Sequence, residues 1–170
     1  MNLISKEAII SKLADIEISN KGSKVIIKSG TMVDSFVKIK FAGGLGDVII
    51  DENCYINSGT VIYSGHGVIL GKGVLIAANC TLAAANHEYR FSDQPILGGG
   101  FTPSKGGIVI EDDVWVGANS VLLDGSIIRR GAVVGAGSLV RGELEEYGIY
   151  VGNPLKLIGK RGKSGIVTCD

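Results

Sequence analysis

The residues of this 170-residue chain best suited to acid–base chemistry are its two histidines, His66 and His87. Imidazole titrates near neutral pH and can therefore take a proton from a hydroxyl group. Asn86-His87 directly precedes a segment, 88–107, that contains Pro95, Pro103 and two glycine clusters. Such residues favour loops, and a long loop inside a compact protein usually serves binding or catalysis. From spacing alone, His87 is either a general base beside a functional loop or a surface histidine at a corner.

His66 precedes Asn86-His87 by about one coil, which is three six-residue repeats of the pattern described below, once a two-residue slip is discounted. We expect His66 to be a histidine at a corner of the chain. The alternative is that it helps to position a substrate. The chain has three cysteines, Cys54, Cys80 and Cys169, without CxxC spacing. That number and spacing favour neither a disulfide framework nor a zinc site, and they indicate a reducing compartment. Cys54 and Cys80 occupy inward positions and are interpreted as core residues.

The elements that must position these residues repeat every six positions. An aliphatic residue recurs at Ile110, Val116, Leu122, Ile128, Val134 and Val140. Each of the first five is followed, four positions later, by a small or β-branched residue. An earlier array runs Ile50, Ile56, Ile62, slips by two residues, and resumes at Leu70, Ile76, Leu82; a shorter one is Ile27, Val33, Ile39. Six-residue spacing fits the alternation of a strand and does not keep a stripe on one side of a helix.

Three such segments would make one triangular coil of roughly eighteen residues, and stacked coils would bury an aliphatic column. A β-sandwich is the alternative, but its strands would vary in length and would not give equal intervals. The pattern therefore predicts an all-β protein, a parallel β-helix of hexapeptide repeats with one extended loop.

We predict one domain over 1–170. Its parts are an N-terminal cap at 1–24, coils at 25–87 and 108–141, a protruding loop at 88–107, and a C-terminal tail at 142–170. The apolar pattern around Ile9, Ile10 and Leu13 predicts a short capping helix over residues 3–14. The polar, glycine-containing stretch beyond Arg161 is expected to fray.

Composition excludes several partners. Lys and Arg together number 17, as do Asp and Glu, so no basic excess indicates nucleic acid. Residues 53–71 carry no Asp, Glu, Lys or Arg, but their glycines and polar side chains argue against a membrane helix. The N-terminus has charges within its apolar pattern and does not fit a signal peptide. We expect a cytoplasmic protein without membrane insertion.

Two segments resemble the C-terminal half of the left-handed β-helix acetyltransferases: IVIEDDVWVGANSVLLDGSIIRRGAVVGAGSLV and, after it, YVGNPLKLIGKR. This family includes galactoside, maltose, virginiamycin-type and capsule or O-antigen acetyltransferases, and the likeness covers roughly 45–161. The resemblance implies a left-handed helix, a homotrimer and acetyl-CoA as donor. It also implies that His87, at the start of an extended loop after the hexad LAAANH, is the catalytic base.

The same resemblance implies further site residues. Trp115 would lie beside the active-site tunnel, and Asn57 and Asn86 would contact the acceptor. Small residues of the late coils would let the pantetheine of CoA approach the backbone, and basic residues would lie near its phosphates. The former are Gly117, Ala118, Gly135 and Ala136, and the latter are Arg141, Lys156, Lys160 and Arg161. Relatives commonly have a Thr-Lys pair where this chain has Arg141-Gly142.

These observations predict an O-acetyltransferase that moves an acetyl group from acetyl-CoA to a sugar hydroxyl, in surface polysaccharide or related carbohydrate metabolism. The alternatives are N-acetylation of a nucleotide-linked amino sugar and a non-catalytic sugar-binding module. A γ-class carbonic anhydrase would need three histidines for its zinc, and the chain has two, so we expect no metal. Two further classes do not fit the sequence. A serine acetyltransferase would have a longer N-terminal helical domain, and an ice-binding solenoid would have flat, repetitive threonine faces and no interrupting loop.

Overall fold

The computed structural model describes residues 1–168, and strands and turns make up that range, with no helix. The strands are β1 Leu3–Ile4, β2 Ile9–Ile10, β3 Asp15–Ile16, β4 Val25–Ile27, β5 Met32–Val33, β6 Lys38–Lys40, β7 Val48–Ile50, β8 Tyr55–Ile56, β9 Val61–Tyr63, β10 Val68–Leu70, β11 Leu75–Ile76, β12 Thr81–Ala83, β13 Ile108–Ile110, β14 Trp115–Val116, β15 Val121–Leu123, β16 Ser126–Ile128, β17 Val133–Val134, β18 Leu139–Val140, β19 Glu143–Leu144, β20 Gly148–Val151, β21 Lys156–Gly162 and β22 Gly165–Thr168.

Successive strands belong in turn to three sheets, so the chain winds as a triangular coil. Face A has the order β1-β4-β7-β10-β13-β16-β19, and face B begins β2-β5-β8-β11-β14-β17-β20. Face C contains β3, β6, β9, β12, β15 and β18. Pairing between coils is parallel throughout, and the antiparallel pairings among these strands are those of β21 with β20 and with β22. The prediction of a left-handed parallel β-helix of hexapeptide repeats is confirmed.

The predicted aliphatic positions form the core. Ile50 pairs with Leu70, and Leu70 pairs with Ile110, so equivalent residues stack directly above one another. All three side chains are fully buried, as are their counterparts on the other faces. The two-residue slip between Ile62 and Leu70 leaves this register intact, because the extra residues lie in the corner between strands.

Length variation is confined to one edge of the triangle. We name each corner by the faces it joins in chain order, so that the CA corner leads from a face C strand to the next face A strand. The BC corners have four residues each, as do the AB corners apart from 145–147. The CA corners vary widely and comprise 17–24, 41–47, 64–67, 84–107, 124–125 and 141–142. The long insertion of the sequence is therefore the largest of several stacked along this edge.

The predicted N-terminal helix is wrong. Residues 3–16 form a first coil instead, in which β1, β2 and β3 pair in parallel with β4, β5 and β6. Ile4, Ile10 and Ile16 continue the six-residue spacing and lie above Ile27, Val33 and Ile39. Pairing satisfies the backbone groups of β4 to β6, which a helix could not do, and this outweighs local helix propensity.

The expectation of a frayed tail is also wrong as far as Thr168. β21 pairs antiparallel with β20, and β22 pairs with β21, so the chain ends its described part in a hairpin on face B. Arg161 joins this hairpin to the coils, since its guanidinium donates to the Gly131 carbonyl at 2.8 Å and forms an ion pair with Asp113. Cys169, the third cysteine, lies outside the described residues, whereas Cys54 and Cys80 are buried.

Removal of one core side chain should destabilise the fold strongly. Leu122 is fully buried in the column, and Leu122→Ala should lower the free energy of unfolding by about 2–5 kcal/mol. Leu97, which is 94% exposed at the loop tip, provides a matched control, for which the same change should cost less than about 0.5 kcal/mol. Urea unfolding of both variants checks this, and equal midpoints would contradict it.

Candidate active site

The loop at 84–107 begins as a short antiparallel hairpin. The Asn86 carbonyl accepts the Thr102 N–H at 2.8 Å, and the Gly100 carbonyl accepts the Glu88 N–H at 3.0 Å. Between these two bonds, His87 and Phe101 form an antiparallel bridge. The backbone at His87 is therefore fixed, while residues 89–101 are exposed almost throughout.

The imidazole of His87 is exposed and stacks on Phe101, with 4.8 Å between ring centroids and an interplanar angle of 26°. Among residues 1–168, no side chain forms a hydrogen bond or an ion pair with this imidazole. The neighbouring carboxylate of Glu88 is bonded to Arg90, and this lowers the pKa of Glu88 to about 2. His87 thus presents an imidazole whose nitrogens are available to a substrate.

Asp124 holds the other end of the loop, a role that the sequence analysis missed. Its carboxylate is 5% exposed and accepts the backbone N–H groups of Lys105 and Gly107, both at 2.9 Å. The Gly107 carbonyl in turn accepts the Gly125 N–H at 2.6 Å. The one signal in the sequence is an aspartate after the strand Val121–Leu123, where the matching positions after the other face C strands hold small or apolar residues.

A cleft of about 510 Å³ runs along the CA edge from the loop toward the C-terminal coils. Its lining residues are Asn86, Tyr89, Lys105, Leu123, Asp124, Gly125, Arg141 and Gly142. A second cleft of about 340 Å³ shares Asn86, Tyr89 and Lys105 with it. Lys105 and Arg141 form no ion pair with any residue in 1–168, so the larger cleft offers positive charge to an anionic ligand.

His66 lies in the preceding CA corner, at 64–67, and its backbone N–H donates to the Ala84 carbonyl at 2.9 Å. Its Nε2 and the neighbouring Ser64 Oγ are buried and have no hydrogen-bond partner within the described range. A Cβ on Gly44 would lie 3.2 Å from its Nδ1, so the ring packs against the corner of the coil before. His66 is thus a corner residue close to the start of the loop.

Five of the predicted residues lie on a different edge. Asn57, Gly117, Ala118, Gly135 and Ala136 all belong to BC corners and stack along the edge of face C that is remote from His87. The packing is close there, since a Cβ on Gly117 would lie 2.5 Å from the Ala136 nitrogen. The Asn57 side chain accepts the Ser58 N–H at 2.8 Å.

The remaining predicted residues lie on or beside face B. Trp115 is half exposed, in register between Leu75 and Val133. Lys156, Lys160 and Arg161 belong to the hairpin, where Lys160 pairs with Glu145 and Arg161 with Asp113. Within the chain the fold places Asn86 and Arg141 on one cleft, with His87 next to Asn86 in sequence, and it separates these three from the other nine.

The described residues contain no helix long and apolar enough to cross a membrane. Nor do residues 1–168 contain a group of three or more His, Cys, Asp or Glu side chains that could hold a metal ion.

Comparison with known proteins gives consistent results. The profile described as "Bacterial transferase hexapeptide (six repeats)" matches residues 107–142, and "Hexapeptide repeat of succinyl-transferase" matches 47–84. WbbJ of Escherichia coli (strain K12), whose name assigns it as an O-acetyl transferase of lipopolysaccharide biosynthesis, is 34% identical over 150 residues, 84% of this chain and 74% of WbbJ. YJL218W of Saccharomyces cerevisiae, an acetyltransferase by name, is 31% identical over 83% of this chain and 71% of its own length.

Among solved structures, one is a serine-to-alanine mutant of AntD, an N-acyltransferase from Bacillus cereus, in complex with dTDP-4-amino-4,6-dideoxyglucose and coenzyme A. It is 26% identical to this chain, with a TM-score of 0.79 over 95% of this chain and 84% of AntD.

Loss of the Asp124 carboxylate should loosen the loop without unfolding the coils. In Asp124→Asn the amide NH₂ faces a backbone N–H, so one of the two bonds is lost and its buried donor is left unpaired. We expect faster hydrogen exchange at the Lys105 and Gly107 amides and faster proteolysis within 88–107. Asp93→Asn, in the exposed part of the same loop, is the control. Unchanged exchange in Asp124→Asn would show that the carboxylate does not hold the loop.

Proposed function

Since the chain belongs to the hexapeptide-repeat acetyltransferase family, we propose that it transfers an acetyl group from acetyl-CoA to a sugar hydroxyl, with His87 as general base. The observation that carries this proposal is the available imidazole of His87, next in the chain to Asn86, which lines a cleft that also carries Lys105 and Arg141. The name of the relative WbbJ favours a hydroxyl acceptor in surface polysaccharide synthesis. The enzyme would act in the cytoplasm.

The chemistry follows from the ordinary properties of the groups. The imidazole takes the proton of the acceptor hydroxyl while the hydroxyl oxygen attacks the thioester carbonyl. Collapse of the tetrahedral intermediate breaks the C–S bond, and the imidazolium returns the proton to the leaving thiolate. The products are the acetyl ester and free CoA, and His87 ends in its starting state. The reaction requires no metal ion.

We place the donor along the larger cleft. Its lining residues come mainly from three successive CA corners, and among them Gly125 and Gly142 supply backbone without side chains. Lys105 and Arg141 would then face the phosphates of CoA, since both are without an anionic partner in residues 1–168. Lys160 and Arg161 are less available for that role, because each already pairs with a carboxylate of the protein.

The site as built by one protomer is open on one side, and we infer a homotrimer. Face A carries an unbroken column of outward aliphatic side chains on paired strands: Leu3, Ile26, Ile49, Ile69, Val109 and Ile127. An apolar column of this length on a folded surface is typical of an interface. In a ring where face A of one protomer meets face B of the next, the CA corner of the first borders the BC corner of the second.

That arrangement would unite the residues that the single chain separates. Trp115 and the BC corner residues Gly117, Ala118, Gly135 and Ala136 of one protomer would complete the cleft beside His87 of another. Asn57 lies at the same BC edge and would approach the acceptor from that side.

N-acetylation of a nucleotide-linked amino sugar is the second candidate function. It is favoured by the similarity to AntD, whose structure holds dTDP-4-amino-4,6-dideoxyglucose. An amine that binds in its free form is already nucleophilic, so this reaction should depend less on a base than hydroxyl transfer does. The two functions therefore differ in what loss of His87 should do.

His87→Ala should keep assembly and acetyl-CoA affinity and lower kcat with a hydroxyl acceptor by about 10²–10⁴-fold. Because a general base acts only in its unprotonated form, kcat of the wild type, measured between about pH 5.5 and 8.5, should be lower at the acid end. Glu88 should add no step to this profile, since its pKa of about 2 keeps it ionised throughout. The measurement is thiol release with O- and N-acceptors.

His66→Ala, which removes the only other histidine, is the control and should lose less than about tenfold. If His87→Ala itself loses less than about tenfold with the best acceptor, hydroxyl transfer through this base is wrong and the amino-sugar reaction is favoured. Failure of wild type to release thiol from acetyl-CoA with any acceptor would instead favour a sugar-binding module.

The shared site predicts complementation between protomers. His87→Ala and Trp115→Ala should each be nearly inactive, but co-expressed chains should recover activity, since roughly one site in three of a mixed trimer has both residues intact. Light scattering on the wild type should give three times the mass of one chain. A monomer mass, or no recovery in mixed trimers, would contradict a site shared in this way.

A further inference from the structure

We propose that Phe101 is a positioning residue that sets the orientation of the His87 imidazole. The inference rests on the proposed role of His87 as base and adds the means by which the ring is aimed. A histidine base is commonly oriented by a carboxylate or a backbone carbonyl on its second nitrogen. Within residues 1–168 the imidazole of His87 has neither, because Glu88 is committed to Arg90.

Since no carboxylate or carbonyl of residues 1–168 orients the imidazole, its stack with Phe101 is the contact left to do so. The two rings lie 4.8 Å apart at 26°, within the range of a favourable aromatic pair. The residues face each other across the antiparallel bridge at the start of the loop, where the flanking bonds of Asn86 and Glu88 fix both backbones. The position of the Phe101 ring therefore determines which way the imidazole can turn.

Phe101 is itself held by an earlier coil. A Cβ on Gly43 would lie 3.0 Å from its Cε1 and 3.2 Å from its Cδ1. Gly43 has a φ of +82°, a conformation open to glycine, and its CA corner at 41–47 lies alongside the loop. Because Gly43 has no side chain, the Phe101 ring can occupy this space. The ring thus contacts both the catalytic histidine and the rigid stack of coils.

Exposure of the ring supports a role beyond packing. Phe101 remains 45% exposed and does not belong to the buried core of the coils. A base displaced by about 1 Å can lose 10²-fold in rate, so a contact that restricts the ring has a measurable effect. An aromatic pair of this kind favours the stacked orientation by roughly 2- to 10-fold.

The test compares Phe101→Leu, which removes the ring, with Phe101→Tyr, which keeps it. We expect Phe101→Leu to lower kcat by about tenfold with KM for acetyl-CoA unchanged. Phe101→Tyr should keep kcat near the wild-type value. The decisive measurement repeats Phe101→Leu in the His87→Ala background. There it should lower kcat no further, because the two residues act as one unit. An equal loss in both backgrounds, or no loss in the wild type, would overturn the proposal.

A structural readout accompanies the kinetics and needs no turnover. Proton NMR of the wild type should show the His87 ring protons shifted upfield by the face of Phe101. The signals are assigned by comparison with His66→Ala, in which His87 is the one histidine left. Phe101→Leu should remove this shift and leave the thermal unfolding midpoint within a few degrees of wild type. An unshifted His87 in the wild type would disprove the stack. If His87→Ala alone keeps its rate while the NMR shift is present, the stack exists and the proposed function is what fails.

Discussion

The parallel register between coils is the constraint on which the rest of this structure depends. Each strand must pair with the strand one coil before it and place its inward residue on the same column, as Ile50, Leu70 and Ile110 do. A residue added within a strand would turn the following side chains to the opposite face and break the column. Two of the three corners are held to four residues over nearly the whole chain, and extra residues collect at the CA corners, where the register tolerates them.

This constraint also explains where the chemistry lies. Since insertions accumulate on one edge, the corners at 41–47, 64–67 and 84–107 stack directly upon one another. Residues distant in sequence, such as Gly43, His66 and Phe101, thereby come to surround the start of the loop. The regular coils supply a rigid support, and the irregular corners supply side chains and clefts, in keeping with the general placement of sites on loops.

The loop is held at its ends and exposed along its length. Asn86 and Glu88 bond one end, the buried carboxylate of Asp124 bonds the other, and the segment between them presents Tyr89 and Leu97 to solvent. The interactions that stabilise the fold are therefore different from those that set the geometry of the site. Apolar burial in the coils supports the fold, whereas a few hydrogen bonds and one ring contact set the geometry of the site, so changes at the site can alter rate with little effect on stability.

The spacing of aliphatic residues determined the fold from sequence alone, because a six-residue period is a local property that each coil repeats. The N-terminal segment contains both the same spacing, at Ile4, Ile10 and Ile16, and an apolar pattern that fits a helix, and only the pairing with β4 to β6 decided between them. The sequence also marked His87, through the break in the repeat. It could not identify Asp124 as the residue that holds the loop, since that depends on which corners stack in the tertiary register. Nor could it identify Phe101 as the ring that contacts His87, since that depends on the hairpin at the start of the loop.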